Sequence, residues 1–197
     1  MCHALGINVW EVIEAAKTKP FGFMAFYPGP GLGGHCIPID PFYLSWKAKM
    51  NGFEPRFIEL AGHINESMPR FVVEKVTDAL NRHQKSVRGS RIHVLGVAYK
   101  AGVNDIRESP ALNVMRLLRE KGAILSYSDP YVPAIREEGL CLDALPVRNG
   151  YLGDVDCAVI LTDHHEFDYA AVVASVPQVV DTRNALRGID DGNVIRL

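Results

Sequence analysis

The sequence predicts an α/β chain: a helical region and one long connecting helix lead into a parallel-sheet domain. Before residue 85 the apolar residues recur at helical spacing. After residue 90, short β-branched apolar runs alternate with helical stretches, the rhythm of a parallel sheet covered by helices on both faces. Between them lies a polar stretch, 82–90, that marks a boundary. The expected division is therefore 1–85, a helical region with a cysteine-bearing loop, and 86–197, an α/β domain.

Leu5, Val9, Val12 and Ile13 predict a first helix over residues 2–17, with no capping residue before it. Residues 18–39 combine prolines and glycines with Phe21, Phe23, Phe26 and Tyr27, which predicts an ordered loop rather than a flexible linker. Asp40-Pro41 reads as an N-cap followed by proline at the first helical position, with Gly52 as the stop. From Arg56 to about Gln84 the periodic residues include Phe57, Leu60, Ile64, Val72, Val76 and Leu80. A helix this long buries one stripe against a partner domain or a second copy of itself. Pro69 is expected to kink it, or to follow a fresh start capped by Asn65 or Ser67.

Ile92–Val97 is an apolar run typical of a strand buried on both faces. Ser109-Pro110 caps a helix that Gly122 ends. Ile124 to Ser128 is a second strand, residues 155–161 a third and 178–181 a fourth, with a short helix from Phe167 to Ala174. No internal repeat or low-complexity tract interrupts this pattern.

The 197 residues carry a formal net charge of −2, so nothing electrostatic points to nucleic acid. The one local basic concentration, Arg82, His83, Lys85, Arg88 and Arg91, reads as a solvated linker. Cys2, Cys36, Cys141 and Cys157 lie far apart without Cys-x-x-Cys spacing, which favours a reduced, intracellular chain. No apolar run approaches the roughly 20 residues needed to cross a bilayer, and no signal peptide precedes the first helix. A cytoplasmic location without membrane association is expected.

Residues 29–41, Gly-Pro-Gly-Leu-Gly-Gly-His-Cys-Ile-Pro-Ile-Asp-Pro, carry the strongest chemical signal. Gly29, Gly31, Gly33 and Gly34 strip side chains from the backbone ahead of Cys36, so main-chain N–H groups and the thiol can approach a ligand closely. His35 can help hold a thiolate, the form that attacks carbon electrophiles. Asp40 can position water or accept a proton. Free cysteine is commonly a buried small hydrophobe, as Cys157 in its apolar run should be, but a glycine loop is the wrong place for that. Asp40 serves equally as a plain helix cap, and one carboxylate can do both. A metal is not expected, since adjacent His35 and Cys36 suit a tetrahedral site poorly.

The loop Gly96–Ser109 follows a strand and precedes a helix, where open α/β sheets bind ligands and helix N-termini favour phosphates. Lys100 and Arg107 there offer cations for a diphosphate; the alternative is two solvated surface cations. Ala98 and Ala101 stand where a dinucleotide fingerprint needs glycine. Asp163-His164-His165-Glu166 reads as a polar loop opening the next helix rather than a metal cluster. Arg183, just past another strand, can reach a phosphate or sugar hydroxyl.

These residues resemble the UDP-glucose/GDP-mannose dehydrogenase family. Gly31–Asp40 is similar to its catalytic cysteine motif, and Tyr99-Lys100 with Asp105–Pro110 to its C-terminal domain signature. The resemblance covers essentially the whole chain. The wording of Lys19–Phe23 and His35–Pro41 is most similar to UDP-N-acetyl-hexosamine 6-dehydrogenases that feed bacterial polysaccharide synthesis. It implies a Rossmann-like parallel-sheet domain and a two-step NAD-dependent oxidation of the sugar C6 alcohol to a carboxylate, through a thiohemiacetal and thioester on Cys36. Water oriented near Asp40 would then release the acid. It further implies that Tyr27, Gly29, Gly31, Gly33 and Gly34 contact the nucleotide sugar, that Tyr99 and Lys100 bind it from the second domain, and that Arg107 reaches the NAD phosphates. A homodimer through helix 56–84 is expected as well.

Family members open with an NAD-binding domain carrying Gly-x-Gly-x-x-Gly, and with a Lys and an Asn that assist proton transfer. None of these matches the 197 residues. The expectation is a portion of a longer enzyme, without dehydrogenase activity alone. Two other readings stay open: a cysteine-dependent hydrolase or acyl transferase using His63 or His164 as base, and a non-catalytic, dimerising UDP-binding module.

Overall fold

The computed structural model describes residues 1–137, 139–146, 152–189 and 192–197. A 3₁₀ turn, His3–Leu5, precedes α1 (Val9–Ala16). The helix thus starts later than expected, and it does have a cap: the Asn8 side chain accepts the Trp10 N–H at 3.0 Å. The loop ends at α2 (Asp40–Met50), followed by α3 (Arg56–Arg82). Pro69 lies inside α3 without ending it, so the expected fresh start does not occur. Ser67 Oγ donates back to the Ile64 carbonyl at 2.6 Å, and Asn65 turns outward to the glycine loop.

The second part alternates β1 (Arg91–Leu95), α4 (Pro110–Glu120), β2 (Ile124–Ser128), β5 (Cys157–Ile160), α5 (Tyr169–Ser175), β6 (Val179–Asp181) and β7 (Val194–Arg196). A two-stranded ribbon, β3 (Ala134–Ile135) with β4 (Leu142–Asp143), sits between β2 and β5. The main sheet is parallel throughout, in the order β2-β1-β5-β6-β7.

Strand side chains alternate between two cores. Val94, Val159 and Val180 face the second half of α3 and α4, through Val72, Val76, Leu112 and Leu118. Leu95, Ile160 and Val179 face α5. The expected boundary at 85/86 falls after α3, yet that helix contributes Val72, Val73, Val76, Ala79 and Leu80 to the sheet's core. Each such side chain, fully buried, stabilises by about 1.5–3 kcal/mol. The apolar stripe of 69–82 is thus covered by the chain's own sheet.

Strand order reverses between β1 and β5. Ligands of open α/β sheets bind in the crevice outside the strands' carboxyl ends at such a point. The loops that follow β1, β5 and β6 meet there, and the cysteine loop reaches the same edge.

Candidate functional site

Cys36 is exposed and free, in a turn leading into α2; its carbonyl accepts the Ile39 and Asp40 N–H groups at 3.0 and 2.8 Å. Cys157, by contrast, is fully buried in β5, and burial pushes its thiol up to about 12. One cysteine is therefore presented and the other inert. Asp40 is exposed and is the first residue of α2. The residue before the helix is Ile39, and no side chain caps it, so the expected capping role of Asp40 is not found.

The glycines let the loop lie against the α/β domain. A Cβ on Gly33 would stand 2.7 Å from Tyr99 Cβ and 2.8 Å from the Glu108 carbonyl. One on Gly34 would stand 3.0 Å from the Tyr99 ring. Gly31, at φ +136°, approaches Pro110, and a Cβ on Gly29 would meet the Arg183 guanidinium at 2.6 Å. A side chain at Gly33 in particular would push the cysteine loop off the sheet domain, because it would meet backbone and a Cβ rather than the end of a flexible side chain. Two further contacts lock it there: Gly34 N–H donates to the Arg107 carbonyl at 3.2 Å, and Leu32 N–H to Asn65 Oδ1 at 2.8 Å.

Tyr99 is half-buried and Lys100 exposed, its Nζ 5.6 Å from the Tyr99 ring centre. Arg107 grips Asp105 through Nε and Nη2 (2.6–3.1 Å), and this guanidinium holds the Asp105 carboxyl well below the usual range. His35 Nε2 lies 3.4 Å from the same carboxylate. Asp105 thereby joins the neighbour of Cys36 to the cation expected to meet the cofactor. Arg183 is largely buried and donates through Nε to the Leu161 carbonyl at 2.9 Å; desolvation lowers its pKa. Tyr27 is set apart from this group: it stacks on Trp10 (6.1 Å), and its hydroxyl meets Glu14 and Lys17 of the α1 region.

So Gly29, Gly31, Gly33, Gly34, Tyr99, Lys100, Arg107 and Arg183 converge at one edge, with Cys36 on the same loop, while Tyr27 belongs to α1. A cavity of about 670 Å³ also opens under the loop, lined by Ile37, Phe42, Phe57, Ala61, Pro110 and other side chains. Neither Cys36 nor Lys100 lines it; its walls also carry Asn65, Glu66, Arg70, Glu108, Asn113 and Arg116. Among the described residues no His, Cys, Asp and Glu group is placed to hold a metal. Two members of the basic concentration near the end of α3 are paired: Lys85 with Asp156, and Arg91 with Asp154 at 3.1 Å.

Sequence reasoning missed Asn65, Asp105 and Asp129. Asn65 looked like a cap because it precedes Pro69. Beside their local partners, Asp105 also meets His35, 70 positions away, and Asp129 meets the Val97 N–H, 32 positions away, which no local spacing reveals.

Two family models match the chain. Residues 93–188 match the UDP-glucose/GDP-mannose dehydrogenase family, UDP binding domain, and residues 1–67 the central domain of the same family. The chain is 36% identical over 167 residues to a UDP-N-acetyl-D-mannosamine dehydrogenase of Methanococcus maripaludis, covering 85% of this chain and 36% of that protein. It is 34% identical over 172 residues to an NDP-N-acetyl-D-galactosaminuronic acid dehydrogenase of Ralstonia solanacearum, covering 85% and 38%. The structure of UDP-D-ManNAc dehydrogenase from Pyrococcus horikoshii superposes with a TM-score of 0.85 at 32% identity, over 99% of this chain and 45% of that one. The chain thus spans less than half the length of these relatives.

Proposed function

We propose, since this chain belongs to the UDP-glucose/GDP-mannose dehydrogenase family, that it supplies the cysteine and the UDP-binding domain of an NAD-dependent UDP-N-acetylhexosamine 6-dehydrogenase. The observation that carries this is the junction itself: an exposed Cys36 on a glycine loop packed against Tyr99 and Glu108.

In this reading the diphosphate lies at the sheet's carboxyl edge. Lys100 supplies a mobile cation and Arg183 a rigid, desolvated one, which fixes the sugar's reach toward Cys36. NAD, when bound, would supply the hydride acceptor, one NAD being consumed in each of the two oxidations. Arg107 fits one phosphate contact, because its side chain is two-thirds exposed even while paired to Asp105. Cys36 adds its sulfur to the C6 aldehyde, and the carbonyl oxygen takes a proton to give a thiohemiacetal. Once that carbon is oxidised to the thioester, water placed by Asp40 adds to it, the C–S bond breaks and the thiol regains its proton. A soft nucleophile holds the aldehyde between oxidations, which water alone cannot do.

The first half of α3 and the exposed side chains of α2 are the surface proposed for a homodimer. Phe57, Leu60 and Ile64 are 89%, 57% and 56% exposed, whereas the second half of α3 is occupied by the sheet. None of the described helices is long and apolar enough to cross a membrane.

Calorimetric titration with UDP tests the nucleotide assignment. Binding is expected for the chain, weakened about tenfold by Lys100→Ala with an unchanged Tm. No binding, or an unaffected Lys100→Ala, contradicts it. For these 197 residues alone, UDP binding without NADH formation is expected; turnover with a UDP-N-acetylhexosamine would show that the cysteine and UDP-binding regions suffice.

A further inference from the structure

The run Asp163-His164-His165-Glu166 has no part in the function proposed above, yet it holds a fully buried imidazole. The His164 side chain and its partner Asp129 are both 0% exposed. His164 Nδ1 accepts the Gly102 N–H at 3.2 Å, which leaves Nε2–H to donate to Asp129 Oδ2 at 3.1 Å. The same carboxylate oxygen accepts the N–H groups of Val97 (2.8 Å) and Ala98 (3.2 Å). Its other oxygen accepts those of Tyr131 and Val132 at 2.8 and 3.0 Å. Burial alone would raise the Asp129 pKa, but the His164 hydrogen bond and these N–H donors outweigh it and leave the pKa lowered.

These bonds have a direction. Asp129 Oδ1 is satisfied within its own loop, whereas Oδ2 and His164 Nδ1 take donors from another one. Here three main-chain donors, at Val97, Ala98 and Gly102, belong to one short segment, and between the anchored ends lie Tyr99 and Lys100. The carbonyl side of the segment is anchored too: Thr162 Oγ1 donates to the Ala98 carbonyl at 2.6 Å and Ser109 Oγ to that of Val97 at 2.8 Å. The backbone is thus fixed from both sides while the Lys100 side chain stays exposed. Neutral imidazole suits this place, accepting at one nitrogen and donating at the other. A lysine could not accept from Gly102, and a carboxylate would repel Asp129.

We infer that His164 and Asp129 are positioning residues for nucleotide recognition, holding residues 97–102 in the shape that presents Tyr99 and Lys100 to the diphosphate. This rests on the nucleotide reading of that loop. Order imposed before the ligand arrives lowers the entropic cost of binding, so losing it should show in affinity.

The test is UDP calorimetry on the whole chain and five variants, four single and one double. His164→Phe keeps a ring against Tyr131 and Phe167, which stand 5.2 and 6.0 Å away, but removes both hydrogen bonds; about tenfold weaker UDP binding is expected. Lys100→Ala should also cost about tenfold in the native background, but less than twofold when combined with His164→Phe, because a misplaced lysine has little left to lose. His164→Asn, which restores an acceptor for Gly102, should recover part of the loss. Asp129→Asn, which keeps the carboxylate's size and loses its charge, should weaken UDP in the same way as His164→Phe. Should the ring variant fail to fold, amide exchange of the native chain decides: the Gly102 N–H is expected to be protected before UDP is added. A Gly102 amide that exchanges freely until UDP binds overturns the inference, as do losses that multiply independently. If Lys100→Ala weakens UDP but His164→Phe does not, only the positioning role fails. If Lys100→Ala is silent, the nucleotide assignment of the loop falls, and this inference with it.

Discussion

Residues 1–68 and 69–197 treat the same kinds of side chain in opposite ways. In the first region Phe53, Phe57, Leu60, Tyr43, Leu44 and Trp46 are 57–89% exposed, and Trp10 is its one buried large hydrophobe among the described residues. In the second, Leu112, Leu118, Ile92, Val159 and Ile160 are at most 1% exposed, in two cores flanking one sheet. One helix, α3, crosses from the first condition to the second near Pro69. The α/β region is stabilised by its own interior. The helical region positions a cysteine loop and presents an apolar surface that the chain leaves uncovered.

The contrast breaks most visibly under core truncation. Leu118→Ala should cost about 2–5 kcal/mol in urea unfolding, whereas Phe57→Ala should change stability by no more than about 0.5 kcal/mol. A large loss at Phe57 would mean that its face is covered in solution, and would support the proposed dimer. Acid should act through the second region next. His93 is buried between Ser126 and Ser128 at 2.8 and 3.0 Å, and burial lowers its pKa to about 4 from 6.5. The unfolded chain then binds the proton more readily, so this contribution is complete above pH 6.5 and is lost as pH falls toward 4. The loss is about 3 kcal/mol. A denaturant midpoint that stays level between pH 7 and pH 4.5, or falls equally in His93→Phe, contradicts it.

Much of this architecture was legible. Strands buried on both faces leave continuous apolar runs, so β1, β5 and β6 stood out, and the edge strand β2 was marked by the Gly122 and Asp129-Pro130 that bound it; the short β3, β4 and β7 leave no such signal. Gly31 and Gly33 were visible as a bare backbone, but only the fold shows that the vacated space is taken by Pro110 and Tyr99. Arg183 gave no sign that it would donate to the Leu161 carbonyl, and the run around His164 read as a polar loop although that imidazole is fully buried. What escaped the sequence are contacts between loops brought together by strand order.

Smaller effects sharpen the junction between the two regions. Asn65→Ala removes the acceptor of the Leu32 N–H and should cost about 1 kcal/mol, with faster alkylation of Cys36 as the loop loosens; an unchanged rate would show that the glycine contacts alone suffice. Arg107→Ala should change the Tm little, since the Arg107 side of its pair with Asp105 is 66% exposed.

The most direct measurement follows two thiols at once. Cys36 and Cys141 are both exposed, and only Cys36 sits at the proposed sugar site. With saturating UDP-N-acetylmannosamine, alkylation by iodoacetamide read by mass spectrometry should slow several-fold at Cys36 and stay constant at Cys141. Equal rates at Cys36 with and without the nucleotide sugar would contradict the claim that this thiol faces the substrate.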